Sequence, residues 1–158
     1  MPVRPRYNYR VYPTPGQQQS LARALGCARV VFNDGLRARR QARAEGRPYL
    51  TDAELSRRVT AAKATPERAW LSGVSSVVLQ QALAELNTAY RNFFTSITGK
   101  RKGKVAPPRF RSRKANRQAI RFTKNARFAV LGNGRLRLPK IGDLAVRWSR
   151  PRRPSRRR

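Results

Sequence analysis

The 158-residue chain carries 37 lysines and arginines against seven acids, a net charge of +30, with one cysteine and no histidine. These counts exclude a disulfide framework and a zinc site built from this sequence. The sequence also has no apolar run of about 18 residues, the length that a membrane-spanning helix needs. They predict an intracellular protein with a polyanionic partner. Nucleic acid is favoured over an anionic membrane because proline, glycine and aromatic residues interrupt the basic stretches.

A short β-strand and a long helical segment are predicted first. The sequence YNYRVY at residues 7–12 alternates apolar and polar positions, which is typical of a half-buried strand. The sequence TPGQ two residues later combines an N-cap threonine, a proline at the first helical position and a capping-box glutamine, so a helix is predicted to begin at Pro15. Apolar residues recur at helical spacing as far as Leu36, and Gly26 and Gly35 leave open one long helix or two short ones.

Four arginines crowd the end of this helical segment: Arg37, Arg39, Arg40 and Arg43. Cations at a helix C-terminus are stabilised by the helix dipole. Two interpretations therefore stay open at this point, a solvated helix end and a phosphate contact.

A second helix is predicted from the capping box formed by Thr51 and Glu54. It places Leu55, Val59 and Ala62 toward the interior, and the sequence Thr65-Pro66 closes it. The pair Trp70-Leu71 is expected to fill the junction with the next helix.

The third predicted helix has the clearest apolar pattern. Its apolar side chains step by four, three, four, three and four positions, which predicts one continuous core-facing stripe: Leu79, Leu83, Leu86, Tyr90, Phe93 and Ile97. Its amide side chains lie on another face, at Gln80, Gln81, Asn87 and Asn92. Amides on an exposed face can bond base edges or water, and the residue pattern alone favours water.

Residues 99–118 form a basic loop with nine lysines and arginines and no acid. The whole segment 86–158 has 23 basic residues and Asp143 as its one acid, whereas residues 1–85 have 14 basic residues and six acids. This density favours phosphate contacts over a solvated linker. Phe110 in the loop is interpreted either as an anchor to the core or as a stacking surface for a base.

Beyond the loop the hydrophobic period changes from helical to alternating. Four short strands are predicted, at residues 120–123, 127–131, 135–138 and 144–148, with glycine-rich turns between them. The strand near residues 5–12 needs a partner, because an isolated strand is not stable. The expectation is an α+β fold in which a β unit built from residues 5–12 and 118–149 is interrupted by helices at about 14–98. The arginine-rich tail at residues 150–158 is predicted to be disordered.

The seven acids do not form a catalytic or metal-binding set. Asp52 and Glu54 are explained by a helix first turn, and Glu85 by a helix surface. The chain has no histidine to activate a nucleophile, and Cys27 lies among apolar neighbours as a structural thiol. The residues therefore indicate a binding module with no catalytic residues, no metal and no cofactor.

In order and spacing, several motifs resemble the N-terminal half of the TnpB (OrfB) proteins, insertion-sequence nucleases related to type V CRISPR effectors. Each motif is weak alone, but seven in the same order over residues 7–150 make a strong resemblance. The motifs are RVYPT followed by Gln17, GCARVVFN at residues 26–33, Trp70-Leu71, LQQAL through AYRNFF at residues 79–94, Pro108-Arg109-Phe110, Phe122-Thr123 and LRLPKIG at residues 136–142.

The resemblance implies a small OB-like β-barrel, called the wedge, that is split in sequence by a helical, helix-turn-helix-like recognition insertion. The corresponding domains are the first wedge strand at residues 1–13, the recognition helices at 14–98, the basic loop and remaining wedge strands at 99–149, and the tail at 150–158. In that family the two parts together hold a guide RNA and read a short motif in the target-adjacent DNA duplex.

The resemblance also implies candidate binding residues. Gln80, and Thr123 on the first late strand, become candidates for reading the DNA duplex, with Ser56 as a weaker third. The basic loop becomes a phosphate contact for RNA or heteroduplex, through Lys100, Arg101, Lys102, Lys104, Arg109, Arg111, Arg113, Lys114 and Arg117. Asp52 lies where the resemblance implies a polar group that contacts a base or a phosphate. Because an acid is a poor phosphate neighbour, the DNA motif that this protein reads is expected to differ.

The family pattern continues into an RNase H-like nuclease with three metal-binding carboxylates and a zinc ribbon, which this sequence does not contain. The expectation is therefore a non-enzymatic, truncated or frameshifted transposase-related protein, located in the cytoplasm with the nucleoid. Two alternatives stay open. One is the N-terminal half of an enzyme whose catalytic half is a separate polypeptide, and the other is a ribosomal-protein-like or nucleoid RNA/DNA-binding protein.

Overall fold

The computed structural model describes residues 4–149, so the predicted disorder of residues 150–158 lies outside the described range. Three helices and a four-stranded antiparallel sheet make up this part of the chain. In chain order the elements are β1 (Arg10–Tyr12), α1 (Pro15–Ala44), α2 (Asp52–Ala62), a 3-10 turn (Ala69–Gly73), α3 (Ser76–Ile97), a second 3-10 turn (Lys124–Ala126), β2 (Ala129–Val130), β3 (Leu136–Leu138) and β4 (Gly142–Arg147). None of the helices within residues 4–149 is both long and apolar enough to span a membrane.

Both predicted capping boxes are confirmed. The Thr14 hydroxyl accepts a hydrogen bond from the Gln17 amide at 3.3 Å, and the Gln17 side chain accepts one from the Thr14 amide at 3.0 Å. Thr51 and Glu54 make the same reciprocal pair at 3.2 and 2.7 Å. These bonds satisfy amides that have no partner in the first helical turn, and α1 and α2 begin where the sequence predicts.

The hydrophobic core is formed by side chains of α1, α2 and α3. Its most deeply buried side chains include Leu36, Leu55, Leu79 and Leu86. Gly35 sits at the closest approach of the helices, because a Cβ atom there would lie 2.9 Å from Cδ2 of Leu86. The two glycines therefore do not break the helix. α1 is one continuous helix of 30 residues.

The predicted apolar stripe on α3 is buried along only part of its length. Burial holds as far as Leu86, but Tyr90 and Phe93 are half-buried and Ile97 is 65% exposed. The elements that cover the first half of α3 do not cover its C-terminal end. At the junction before α3, Leu71 is buried as expected, whereas the expectation that Trp70 fills the junction is wrong because its ring lies at the surface.

The sheet joins the chain before the helices to the chain after them. Its strand order is β1-β4-β3-β2, and Val11 of β1 pairs with Val146 of β4. Two side-chain bonds tie this sheet to the helices. The side-chain amide of Gln17 donates to the backbone carbonyl of Asp143 at 2.8 Å, and the Lys140 ammonium donates to the backbone carbonyl of Ser72 at 2.7 Å.

The sheet is open, and the described residues do not close it into a barrel. The strand predicted at residues 120–123 is absent from this part of the structure, and that prediction is wrong. Ile120 and Phe122 pack against the helical core instead of pairing with a strand. Thr123, expected on that strand, precedes the 3-10 turn that begins at Lys124. The other three late strands are present, although each is shorter than or shifted from its predicted range.

Two glycines on the same helix provide a matched test of the core packing. Gly35→Ala is expected to lower the free energy of unfolding by about 1–3 kcal/mol, because its methyl group collides with Leu86. Gly26→Ala is expected to raise it by about 0.5–1 kcal/mol, because nothing but the Arg29 guanidinium lies nearby and alanine favours a helix. Urea unfolding measures both changes, and equal effects of the two substitutions would contradict the close packing at Gly35.

Candidate nucleic-acid interface

Two of the three predicted duplex-reading residues are in direct contact. The hydroxyl of Ser56 on α2 donates a hydrogen bond to the side-chain oxygen of Gln80 on α3, at 3.2 Å. Gln80 is exposed, and within residues 4–149 its amide nitrogen has no hydrogen-bond partner. The contact therefore orients an amide that still has two N–H groups for an external acceptor.

Thr123 is not joined to this pair by a hydrogen bond among the described residues. It is half-buried at the start of the 3-10 turn at Lys124–Ala126, which packs against α3. Two exposed arginines next to Ser56, Arg57 and Arg58, were not among the predicted site residues. The feature of the sequence that could have identified them is that they are two adjacent cations on the exposed face of a short amphipathic helix.

The basic loop is attached to the helices at defined points. Asn33 on α1 bonds both backbone groups of Arg111, accepting from its N–H at 2.8 Å and donating to its carbonyl at 3.0 Å. Arg40 on the same helix donates to the Pro108 carbonyl at 2.8 Å. On α3, the Ser96 hydroxyl accepts from the Val105 amide at 2.9 Å and donates to the Gly103 carbonyl at 3.0 Å. The loop thus follows a fixed path although it has no helix or strand.

Arg111 differs from the other basic residues of the loop. Its guanidinium pairs with Glu85 at 2.7 Å and lies 3.8 Å from the ring centre of Phe32. Among the nine predicted phosphate contacts, it is the one that forms an ion pair with a described residue. The other eight are exposed: Lys100, Arg101, Lys102, Lys104, Arg109, Arg113, Lys114 and Arg117.

Phe110 lies between two arginines at the loop's contact with α1. The Arg40 guanidinium is 4.7 Å from its ring centre and that of Arg37 is 5.7 Å away. Cation–π contacts of this kind hold the loop against the helix while part of the ring stays exposed. The ring therefore anchors the loop to the helix surface.

Arg39 is buried, so neither interpretation offered for the arginines at the end of α1 applies to it. Its side chain donates to the Leu50 carbonyl at 3.0 Å and to Asp52 at 3.2 Å. Its guanidinium also lies between the rings of Tyr49 and Tyr90, 4.4 and 4.9 Å from their centres. Asp52, which looked like a poor phosphate neighbour in the sequence, is thus partly neutralised by a buried cation. The sequence gives no signal that separates Arg39 from its exposed neighbours.

The described acids do not cluster into a metal site. Within residues 4–149, no three acidic, histidine or cysteine side chains lie close enough together to hold a metal ion. Cys27 is buried, and burial raises the pKa of its thiol although Arg23 opposes the shift. The thiol is therefore protonated and unreactive near neutral pH.

The N-terminal part of the chain matches a domain of the helix-turn-helix class. Residues 1–48 match a helix-turn-helix domain family of the OrfB proteins of IS605-type elements, and in this structure the matched range contains β1 and α1. The resemblance to the N-terminal part of the TnpB/OrfB proteins of insertion sequences is thereby confirmed.

Two longer proteins support this relationship. The chain is 40% identical over 150 residues to a Streptomyces pristinaespiralis protein named "Putative RNA-guided DNA endonuclease". It is 30% identical over 144 residues to an Escherichia coli K12 protein named "Putative RNA-guided DNA endonuclease InsQ". These matches cover 94% and 91% of this chain but 35% and 34% of the relatives. The chain therefore spans about a third of the length of the curated relatives it matches.

Arg111 and Arg113 provide a matched test of the basic loop. Arg113→Gln is expected to reduce the slope of log affinity against log salt by roughly 1, because Arg113 is exposed and is predicted to contact a phosphate, with little change in stability. Arg111→Gln is expected to leave the slope unchanged and to lower stability by about 1 kcal/mol or less, because its partners Glu85 and Phe32 belong to the protein. Salt-dependent binding to RNA and urea unfolding measure the two effects. A lower slope for Arg111→Gln would place its guanidinium on a phosphate.

Proposed function

We propose that this chain is the nucleic-acid recognition module of a TnpB-like protein, which binds a guide RNA and a DNA duplex next to the target. The observation that carries the proposal is the contact between Ser56 and Gln80 on an exposed helical surface, in a protein whose basic loop is held on a fixed path. The cleavage chemistry of an RNA-guided nuclease belongs to a catalytic part outside these residues.

The duplex contact is assigned to the surface where α2 meets α3. A glutamine amide can donate one hydrogen bond and accept another at an adenine edge in the major groove. The bond from Ser56 restricts the Gln80 side chain before DNA arrives, which lowers the entropy lost on binding. Arg57 and Arg58 are exposed cations on the same helix, and they are proposed to contact phosphates of the same duplex. Thr123 is proposed as a peripheral contact of this surface.

The RNA contact is assigned to the basic loop. Its eight exposed cations are not paired to described acids, so RNA phosphates can neutralise them and release counterions. Because Asn33 and Ser96 hold the loop backbone, the cations are presented along a preformed path. A preformed path suits RNA helices, which proteins recognise mainly by shape and backbone.

The open sheet is proposed to be part of the wedge of the TnpB-like fold. β1 and β2 are its edge strands, and each has one side available for further pairing. Additional strands in the complete assembly would close the barrel. The proposed binding of DNA and guide RNA also places the protein with the nucleoid in the cytoplasm.

Gln80→Ala tests the duplex-reading proposal. The substitution is expected to reduce discrimination between the preferred duplex and a single-base variant by about 1–3 kcal/mol, while affinity for unrelated duplex changes little. Competition binding with a randomised duplex library identifies the preferred sequence and measures the loss.

Gln19→Ala is the matched control, because Gln19 is an exposed glutamine on α1, away from Ser56 in the sequence. It is expected to leave discrimination unchanged. A uniform loss of affinity for all duplexes in the Gln80 variant would assign Gln80 to the DNA backbone and refute base reading.

A further inference from the structure

An open groove lies where the C-terminal ends of α1 and α3 meet the chain around Tyr49 and the prolines of the basic loop. We call it the aromatic groove. Its volume is about 630 Å³ and its lining contains four arginines and no acid. The residues that the argument uses are Arg39, Arg40, Arg43, Tyr49, Tyr90 and Phe94.

The floor of the aromatic groove is a cluster of rings in contact with one another. Tyr49 lies 5.6 Å from Tyr90 and 5.5 Å from Phe94, and Tyr90 lies 5.7 Å from Phe94, measured between ring centres. Phe94 is nevertheless 41% exposed, and Tyr49 is exposed to a similar extent. Rings that support one another present flat apolar surfaces at fixed positions.

The cations around these rings select the kind of partner. Arg40 and Arg43 are exposed at the groove, whereas Arg39 is 3% exposed and lies against the tyrosines. Nη1 of Arg39 has no hydrogen-bond partner among the described residues. Because Arg39 is buried and bonded within the fold, the exposed Arg40 and Arg43 are the cations of the groove that an anionic ligand can contact.

We propose that the aromatic groove binds one unpaired nucleotide of a single-stranded segment, with its base stacked on Phe94 and Tyr49 and its phosphate between Arg40 and Arg43. An apolar peptide would use the rings but not the arginines. A duplex would use the arginines but not the rings, since its bases are stacked inside the helix. Burial raises the pKa of both Tyr49 and Tyr90, so the two phenols stay neutral beside the phosphate.

This inference rests on the proposed function, since it specifies how the recognition module holds the unpaired part of its RNA or of displaced DNA. The aromatic groove is separate from the Ser56 and Gln80 surface, because none of its lining residues belongs to α2. Single-strand binding and duplex discrimination can therefore be lost independently.

Phe94→Ala tests the inference in the full chain. Fluorescence anisotropy is measured with an unstructured RNA of roughly 12 nucleotides, with a DNA strand of the same sequence, and with the corresponding DNA duplex. Affinity for a single strand is expected to fall about tenfold, as for the loss of one stacked base, with duplex affinity unchanged. A loss on RNA alone assigns the nucleotide to RNA, and a loss on both strands assigns it to any unpaired strand.

Two further variants separate stacking from apolar contact and from folding. Phe94→Trp is expected to retain binding, and Phe94→Leu, which keeps an apolar side chain in the cluster, is expected to lose it like alanine. Phe128→Ala is the matched control, since that ring is 40% exposed but lies outside the aromatic groove.

The inference is overturned if Phe94→Ala leaves both single strands unaffected, if it weakens strand and duplex equally, or if Phe94→Leu binds as wild type. If the discrimination between duplexes still depends on Gln80, any of these results would refute nucleotide binding in the aromatic groove and would leave the proposed function standing.

Discussion

The close packing of α1 against α3 at Gly35 is the constraint on which the rest of the structure depends. It aligns a 30-residue helix with the buried leucines of both other helices. The same helix then holds the sheet through Gln17 and the basic loop through Asn33. α1 therefore holds both the sheet and the basic loop, and α3 holds the loop at further points through Ser96 and Glu85.

Electrostatics divides the charged residues into two groups. Five of the seven acids form ion pairs with arginines in the described structure: Asp34, Glu45, Asp52, Glu85 and Asp143. The hydrogen bond from Arg137 lowers the pKa of Asp143, so that carboxylate keeps its charge to lower pH than an ordinary aspartate. The few acids thus fix particular arginines within the fold, and the remaining cations are left for an external polyanion.

Local signals in the sequence predicted the helices well. Capping boxes and helical spacing gave the starts of α1 and α2, and the need to pair an isolated strand anticipated the contact between β1 and β4. Properties that depend on tertiary packing were not predictable in this way. The burial of Arg39, the exposure of Ile97 and the packing of Phe122 on the helices each depend on which element lies opposite. The contact between Ser56 and Gln80 likewise joins residues 24 positions apart.

The central claim, that this chain is a guide-RNA and duplex recognition module, is tested most directly by sequencing the RNA that copurifies with it from cells carrying its gene and flanking DNA. The account predicts strong enrichment of a transcript from the end of the chain's own insertion element. Recovery of ribosomal and messenger RNA in proportion to abundance, with no enriched element transcript, would contradict the account and favour a general RNA-binding protein.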